Sequence, residues 1–141
     1  MTACSIRPDL ASLDIPMDSW SRPFWDAAAE RRLAMPRCGA CGAFRWPAGP
    51  FCPHCRSQAV EWVAPGQGRI YSFTVLPVRV EAEDAPLQVR IPVLVEFDEA
   101  PGVRLVSALV DAPPGQVAIG ASVEVDWLAA ANATAPVFRL A

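Results

Sequence analysis

The chain has 141 residues, enough for one ordinary domain, or for two small ones if something besides a hydrophobic core holds the smaller together. Hydrophobic residues make up 52% and charged residues 19%, which excludes the disordered class of low apolarity and high net charge. The formal net charge is -3, every basic residue is an arginine, and residues 60–141 carry more acidic side chains than arginines, a balance that disfavours nucleic acid as a partner.

Residues 1–10 hold no apolar run of signal-peptide length, and no stretch approaches the roughly 20 apolar residues of a membrane span. The expectation is a cytoplasmic protein without a membrane partner. Residues 1–17 mix Pro8, Asp9, Asp14 and Pro16 with scattered apolar side chains and show no period, so they are read as an arm of the kind that lies on a partner.

Ser21 is placed to cap a helix with Pro23 in its first turn, Trp25, Ala29 and Leu33 recur at i, i+4 and i+8, and Pro36 ends the segment. This predicts a helix over 22–34. Trp20, Phe24 and Trp25 bring more apolar area than a short helix needs to cover a small module, so they are candidates both for packing on the chain itself and for docking on a partner.

Residues 37–58 contain Gly39, Gly42, Pro47, Gly49, Pro50 and Pro53 and no periodic pattern. Their shape must come from a metal. Cys38-Gly-Ala-Cys41 and Cys52-Pro-His-Cys55 are two tight knuckles, and in a reducing compartment such paired cysteines point to a metal rather than to disulfides. Four thiolates suit tetrahedral zinc, fill its coordination sphere and leave no position for water, which argues for a structural rather than a Lewis-acid role. Gly42 and Pro53 also suit a rubredoxin-like iron site, the alternative metal. Cys4 stands apart.

His54, the sole histidine, lies between two of these cysteines, where a Ser-His or Cys-His nucleophile pair has little freedom to form. No catalytic residue is assigned. Arg37, Arg45 and Arg56 flank the module and have the fork geometry to take a phosphate, although solvated arginines are the plainer reading.

After the linker 64–68 the chain becomes a series of short β-branched runs, predicting strands over 69–80, 91–98, 103–110, 122–127 and 137–140. Val93, Val95 and Phe97 oppose Glu96 and Asp98, and Val123, Val125 and Trp127 oppose Glu124 and Asp126. Residues 99–102 are read as a hairpin turn, and 81–88 and 112–120 as longer loops. Glu81, Glu83 and Asp84 are read as a solvated surface, and Pro65-Gly66-Gln67-Gly68 lacks the lysine and helix of a phosphate-binding loop. Five short strands suit a small closed barrel, of which the OB-fold is the commonest five-stranded form. The expected architecture is mainly β: arm and helix over 1–36, metal ribbon over 37–63 and barrel over 64–141.

The ordered set Phe24-Trp25, Leu33, Arg37-Cys38-Gly39-Ala40-Cys41-Gly42, Pro47, Cys52-Pro53-His54-Cys55 and Trp62, with residues 66–75, 119–125 and 135–139 behind it, resembles a known family. This is the rubredoxin-like zinc ribbon followed by an OB-fold, catalogued as domain of unknown function 35. The resemblance implies a structural zinc and a non-catalytic accessory subunit. Such subunits bind a thiolase-superfamily enzyme, either a thiolase or a lipid-transfer-protein-like aldolase, and help form its acyl-CoA channel; others serve acyl-CoA hydratases. On that reading Trp20, Phe24 and Trp25 are the docking anchors, and Arg37, Arg45 and Phe73 the candidate contacts to a coenzyme A thioester at the shared interface. Ala48 and Gly49 replace a proline and an arginine that many relatives carry, so a phosphate role for that loop is not carried over.

Two rivals follow from the same elements. A single-stranded nucleic-acid-binding ribbon and barrel would stack bases on barrel aromatics, against which the acidic barrel counts. A rubredoxin-like iron electron carrier would be red rather than colourless.

Overall fold

The computed structural model describes residues 4–78 and 88–141. Successive side chains of an extended chain point to opposite faces, and the longest strand, β5 (Gln88–Phe97), buries Val89, Ile91, Val93, Val95 and Phe97 on one of them. The remaining barrel strands are β3 (Gly68–Phe73), β6 (Ala100–Leu109), β7 (Ser122–Ala129) and β8 (Thr134–Leu140), with a short β4 (Leu76–Val78) beside the start of β5. Before them lie one helix, α1 (Arg22–Ala29), and a small ladder of β1 (Met35–Cys38) and β2 (Val60–Val63).

The order β3-β7-β8-β6-β5 is closed by pairing of β3 with β5, giving the five-stranded OB barrel. Among the described strands the pairings are antiparallel except β6 with β8, which meet in parallel at Leu109 and Phe138. Closure squeezes the start of β3 between two neighbours: a Cβ on Gly68 would lie 3.1 Å from Val95 and 3.2 Å from Val123. Phe138, Ile70, Ile91 and Leu109 fill the interior, and Phe24 of α1 and Met35 of β1 join the same cluster. Helix, ribbon and barrel therefore share one core. No helix among the described residues is long and apolar enough to cross a membrane.

Several boundaries differ from the sequence reading. The first barrel strand is broken: the register shifts between Ile70 and Ser72, leaving Tyr71 unpaired, and β4 resumes only at Leu76. A bulge bends a strand; β3 meets both β5 and β7 before it, at Gly68 and Arg69. Residues 79–87, with the acidic cluster Glu81, Glu83 and Asp84, lie outside the described residues. The β5–β6 turn is Asp98-Glu99, with Phe97 opposite Ala100, rather than 99–102. The linker holds it there, since the Asp98 amide donates to Gln67 O (3.0 Å) and the Glu99 amide to Pro65 O (2.9 Å).

The helix stops at Ala29 rather than at 34. Arg31 takes a φ of 59°, its amide donates to Ala28 O (2.8 Å), and the Arg32 amide donates to Ala27 O (2.9 Å). This pair of bonds satisfies the last helical carbonyls and turns the chain into β1, a termination usually built on glycine. Ser21 sits at the N-terminus but makes no side-chain cap; the turn is closed by Asp18, whose carboxylate accepts from the Ser21 amide (2.7 Å) and is held below the usual carboxylate range by it.

The arm is also corrected, because it lies on the chain's own barrel. Ser5 is buried, its amide donates to Ala112 O (2.8 Å), its hydroxyl donates to Leu109 O (2.7 Å), and that hydroxyl accepts from the Ala112 amide (3.0 Å). Farther along, the Asn132 side chain accepts from the Ile15 amide and donates to Ile15 O, both at 2.8 Å. Arg7 pairs with Asp111 and Asp126. Leaving a buried donor and acceptor unmade costs more than a bond contributes, so Ser5→Ala is expected to lower stability by about 1–3 kcal/mol in urea denaturation.

Candidate metal centre and the groove beside it

Cys38 closes β1, where its pairing with Val60 of β2 fixes its backbone. The two knuckles then repeat one construction. In the first, the Gly42 amide donates to Cys38 O (2.9 Å) and the Cys38 amide to Ala43 O (2.7 Å); in the second, the Arg56 amide donates to Cys52 O (2.9 Å) and the Cys52 amide to Ser57 O (2.9 Å). Gly42 and Arg56 hold equivalent left-handed positions, at φ of 81° and 63°. Arg56 thus closes a knuckle, a role its register with Gly42, four residues after the first cysteine of each pair, could have revealed.

The amides of Ala40 and His54 point at the sulfurs of Cys38 and Cys52, each at 3.4 Å. Sγ of Cys38 lies 3.5 Å from that of Cys55, Sγ of Cys41 3.5 Å from that of Cys52, and all four sulfurs lie within 4.8 Å of one another. A tetrahedron of zinc–sulfur bonds near 2.3 Å has edges of about 3.8 Å, so the donor set fits the ion. The Cys41 and Ala40 amides pull the Cys38 thiol down to about 6, and the Cys55 amide lowers Cys52. Cys41, although the Ala43 amide faces it, is pushed up to about 11 by its contacts with Cys52 and Cys55. Without a cation, Cys41 therefore resists ionising beside its neighbouring cysteines. Zinc would supply that charge and hold the knuckles, with no position left for substrate. His54 is exposed and contributes its amide; Cys4 is outside the cluster.

The candidate acyl-CoA contacts do not converge. Arg37 pairs with Glu61 across the β1–β2 ladder, with its Nε 2.8 Å from the carboxylate. Arg45 is only 4% exposed and its guanidinium donates to the carbonyls of Gly49, Ser57 and Ala59, so it has no open face for a phosphate. Phe73 lines a separate shallow hollow on the barrel with Pro92, Leu94 and Val106.

The candidate anchors divide as well. Phe24 is 3% exposed, with its ring 5.0 Å from those of both Trp25 and Trp46, so it packs on the chain's own core while also lining a neighbouring groove. Trp25 is partly buried against the core, while Trp20 is 49% exposed. Beside them runs an apolar groove of about 490 Å³, walled by Leu10 and Pro16 of the arm, Trp25, Trp46 and, from the barrel, Val106 and Pro136.

A four-cysteine ribbon leading directly into a closed five-stranded barrel defines the class, a zinc ribbon with an OB-fold. Residues 25–61 match the family model described as "ChsH2, rubredoxin-like zinc ribbon domain", and residues 62–128 match "ChsH2, C-terminal OB-fold domain". The solved structure of an "Ltp2-ChsH2(DUF35) aldolase" is 37% identical, covers 90% of this chain and 98% of its own, and superposes with a TM-score of 0.74. The chain belongs to the DUF35 family, as the sequence resemblance implied. Among curated proteins it is 43% identical over 119 residues to a probable enoyl-CoA hydratase alpha subunit of Thermomonospora curvata. That match covers 82% of this chain and 36% of the relative, so the chain spans about a third of that protein's length. It is also 33% identical over 92 residues to a DUF35 domain-containing scaffold protein of Methanocaldococcus jannaschii, 62% of each chain.

Because every ligand must shed its proton, zinc affinity falls with pH. Cys41 is protonated at neutral pH without metal, so between pH 8 and 6 binding releases at least one proton, and affinity drops about tenfold per pH unit for each proton displaced. Competition against a chromophoric chelator reads this directly.

Proposed function

We propose that the chain is a non-catalytic accessory subunit of an acyl-CoA enzyme of the thiolase superfamily, a thiolase or a lipid-transfer-protein-like aldolase. It binds that enzyme as a hetero-oligomer in the cytoplasm and helps form the channel for its coenzyme A thioester. The observation that carries this reading is the 37% likeness, over 98% of its length, to the chain of a solved Ltp2-ChsH2(DUF35) aldolase. Exposed Trp20, and the apolar groove lined by Trp25 and Trp46, supply docking area outside the chain's own core. Chemistry belongs to the partner, because a zinc with four protein thiolates has no open position.

A second reading, partnership with an acyl-CoA hydratase, is favoured by the 43% identity to a hydratase alpha subunit in which this sequence corresponds to about a third of the chain. Co-expression with a thiolase-superfamily aldolase, and separately with an enoyl-CoA hydratase, separates the two. A stable complex with the aldolase, needed for its cleavage of a hydroxyacyl-CoA, is the expected outcome; a monomer in both cases contradicts both readings. Trp20→Ala is expected to change stability by no more than about 0.5 kcal/mol, as surface substitutions do, while weakening the complex at least about tenfold, as loss of an aromatic anchor does.

A further inference from the structure

Arg45 is a buried cation in want of an anion. It is 4% exposed, and none of the ion pairs among the described residues includes it. Its Nε is buried without any hydrogen-bond partner. What its guanidinium does touch is neutral: Nη1 donates to Gly49 O (3.3 Å), and Nη2 to Ser57 O (3.4 Å) and Ala59 O (2.7 Å). An arginine is never discharged by burial, and a buried charge without a counter-charge is strongly disfavoured. Three neutral carbonyls offset part of that cost, and a nearby anion would offset the rest.

The neighbourhood identifies that anion. Ser57 O also accepts from the Cys52 amide (2.9 Å), and Ala59 O also accepts from the Gly39 amide (3.1 Å). One guanidinium nitrogen therefore reaches, through one carbonyl each, the second knuckle at Cys52 and the first beside Cys38. Four thiolates around a divalent ion leave a formal charge of two minus, and the carboxylate of the β1–β2 ladder, Glu61, is paired with Arg37 rather than with Arg45. We propose that Arg45 is the built-in counter-charge of the metal site, a positioning residue that holds both knuckles and offsets the surplus negative charge of the tetrathiolate. The assignment concerns this chain alone and stands whether or not the partner enzyme is a thiolase relative.

Charge and bracing are separable by experiment. Arg45→Gln removes the charge and keeps a hydrogen-bonding amide; Arg45→Lys keeps the charge and loses the fork. Partners behind metal ligands typically change affinity ten- to a hundredfold when lost. Zinc competition is therefore expected to show a loss of about ten- to a hundredfold for Arg45→Gln and much less for Arg45→Lys.

Loading the full-length protein with iron gives a readout that bracing alone does not move. A ferrous site carries one more negative charge than a ferric one, so removing a nearby cation lowers the midpoint potential. A tenfold shift in ferrous over ferric preference equals about 59 mV. A downward shift of that order in Arg45→Gln, with Arg45→Lys near the unsubstituted protein, is the expected result. Failure of Arg45→Gln to fold with either metal while Arg45→Lys loads normally also supports the assignment. An unshifted potential in Arg45→Gln, equal losses in both variants, or failure of both to fold overturns it.

Discussion

Four sulfurs gathered within 4.8 Å constrain the rest of this molecule. Residues 37–58 have too few apolar side chains for a core of their own, and the amides that face Cys38 and Cys52 are useful only if something neutralises the thiolates they favour. A tetrahedral divalent ion does so and sets the geometry of both knuckles at once. From that fixed point β1 and β2 run outward, Met35 enters the common core, and α1 is drawn against β8. The metal thus acts structurally, by fixing where the helix, the ribbon and the barrel meet.

The barrel supplies the other half of the frame, and the arm makes the two halves continuous. Ser5 bonds to the end of β6 and to the loop after it, and Asn132 holds Ile15, so the intervening stretch becomes one wall of the groove while α1, Trp46, β6 and β8 form the others. Val106, 73% exposed in the middle of β6, lines both this groove and the separate hollow beside Phe73. An apolar surface of this extent on a small acidic chain is the physical basis for expecting a protein partner.

The metal site was legible in the sequence because two short cysteine spacings are a local signal, and the barrel because alternation in residues 93–97 and 123–127 is local too. What was not legible depended on distant groups. Ser5 is an ordinary serine until the loop near Ala112 comes to meet it. Arg45 reads as a flanking cation, and its inward turn follows from carbonyls that only the second knuckle brings into place. Apolar spacing that continues to Leu33 predicts a helix to 34, while the left-handed turn at Arg31 carries no glycine to announce it. Phe24 belonged to an aromatic cluster that suggested docking, and the shared core claims it.

The central claim is that the metal builds a docking frame and takes no part in chemistry. Its most direct test is analytical ultracentrifugation of the chain with the proposed thiolase-superfamily partner, zinc-loaded and then zinc-stripped, with circular dichroism reporting that the barrel stays folded. Loss of the hetero-oligomer on stripping, and its return with zinc, is the predicted result. Full assembly of the zinc-stripped chain would contradict it.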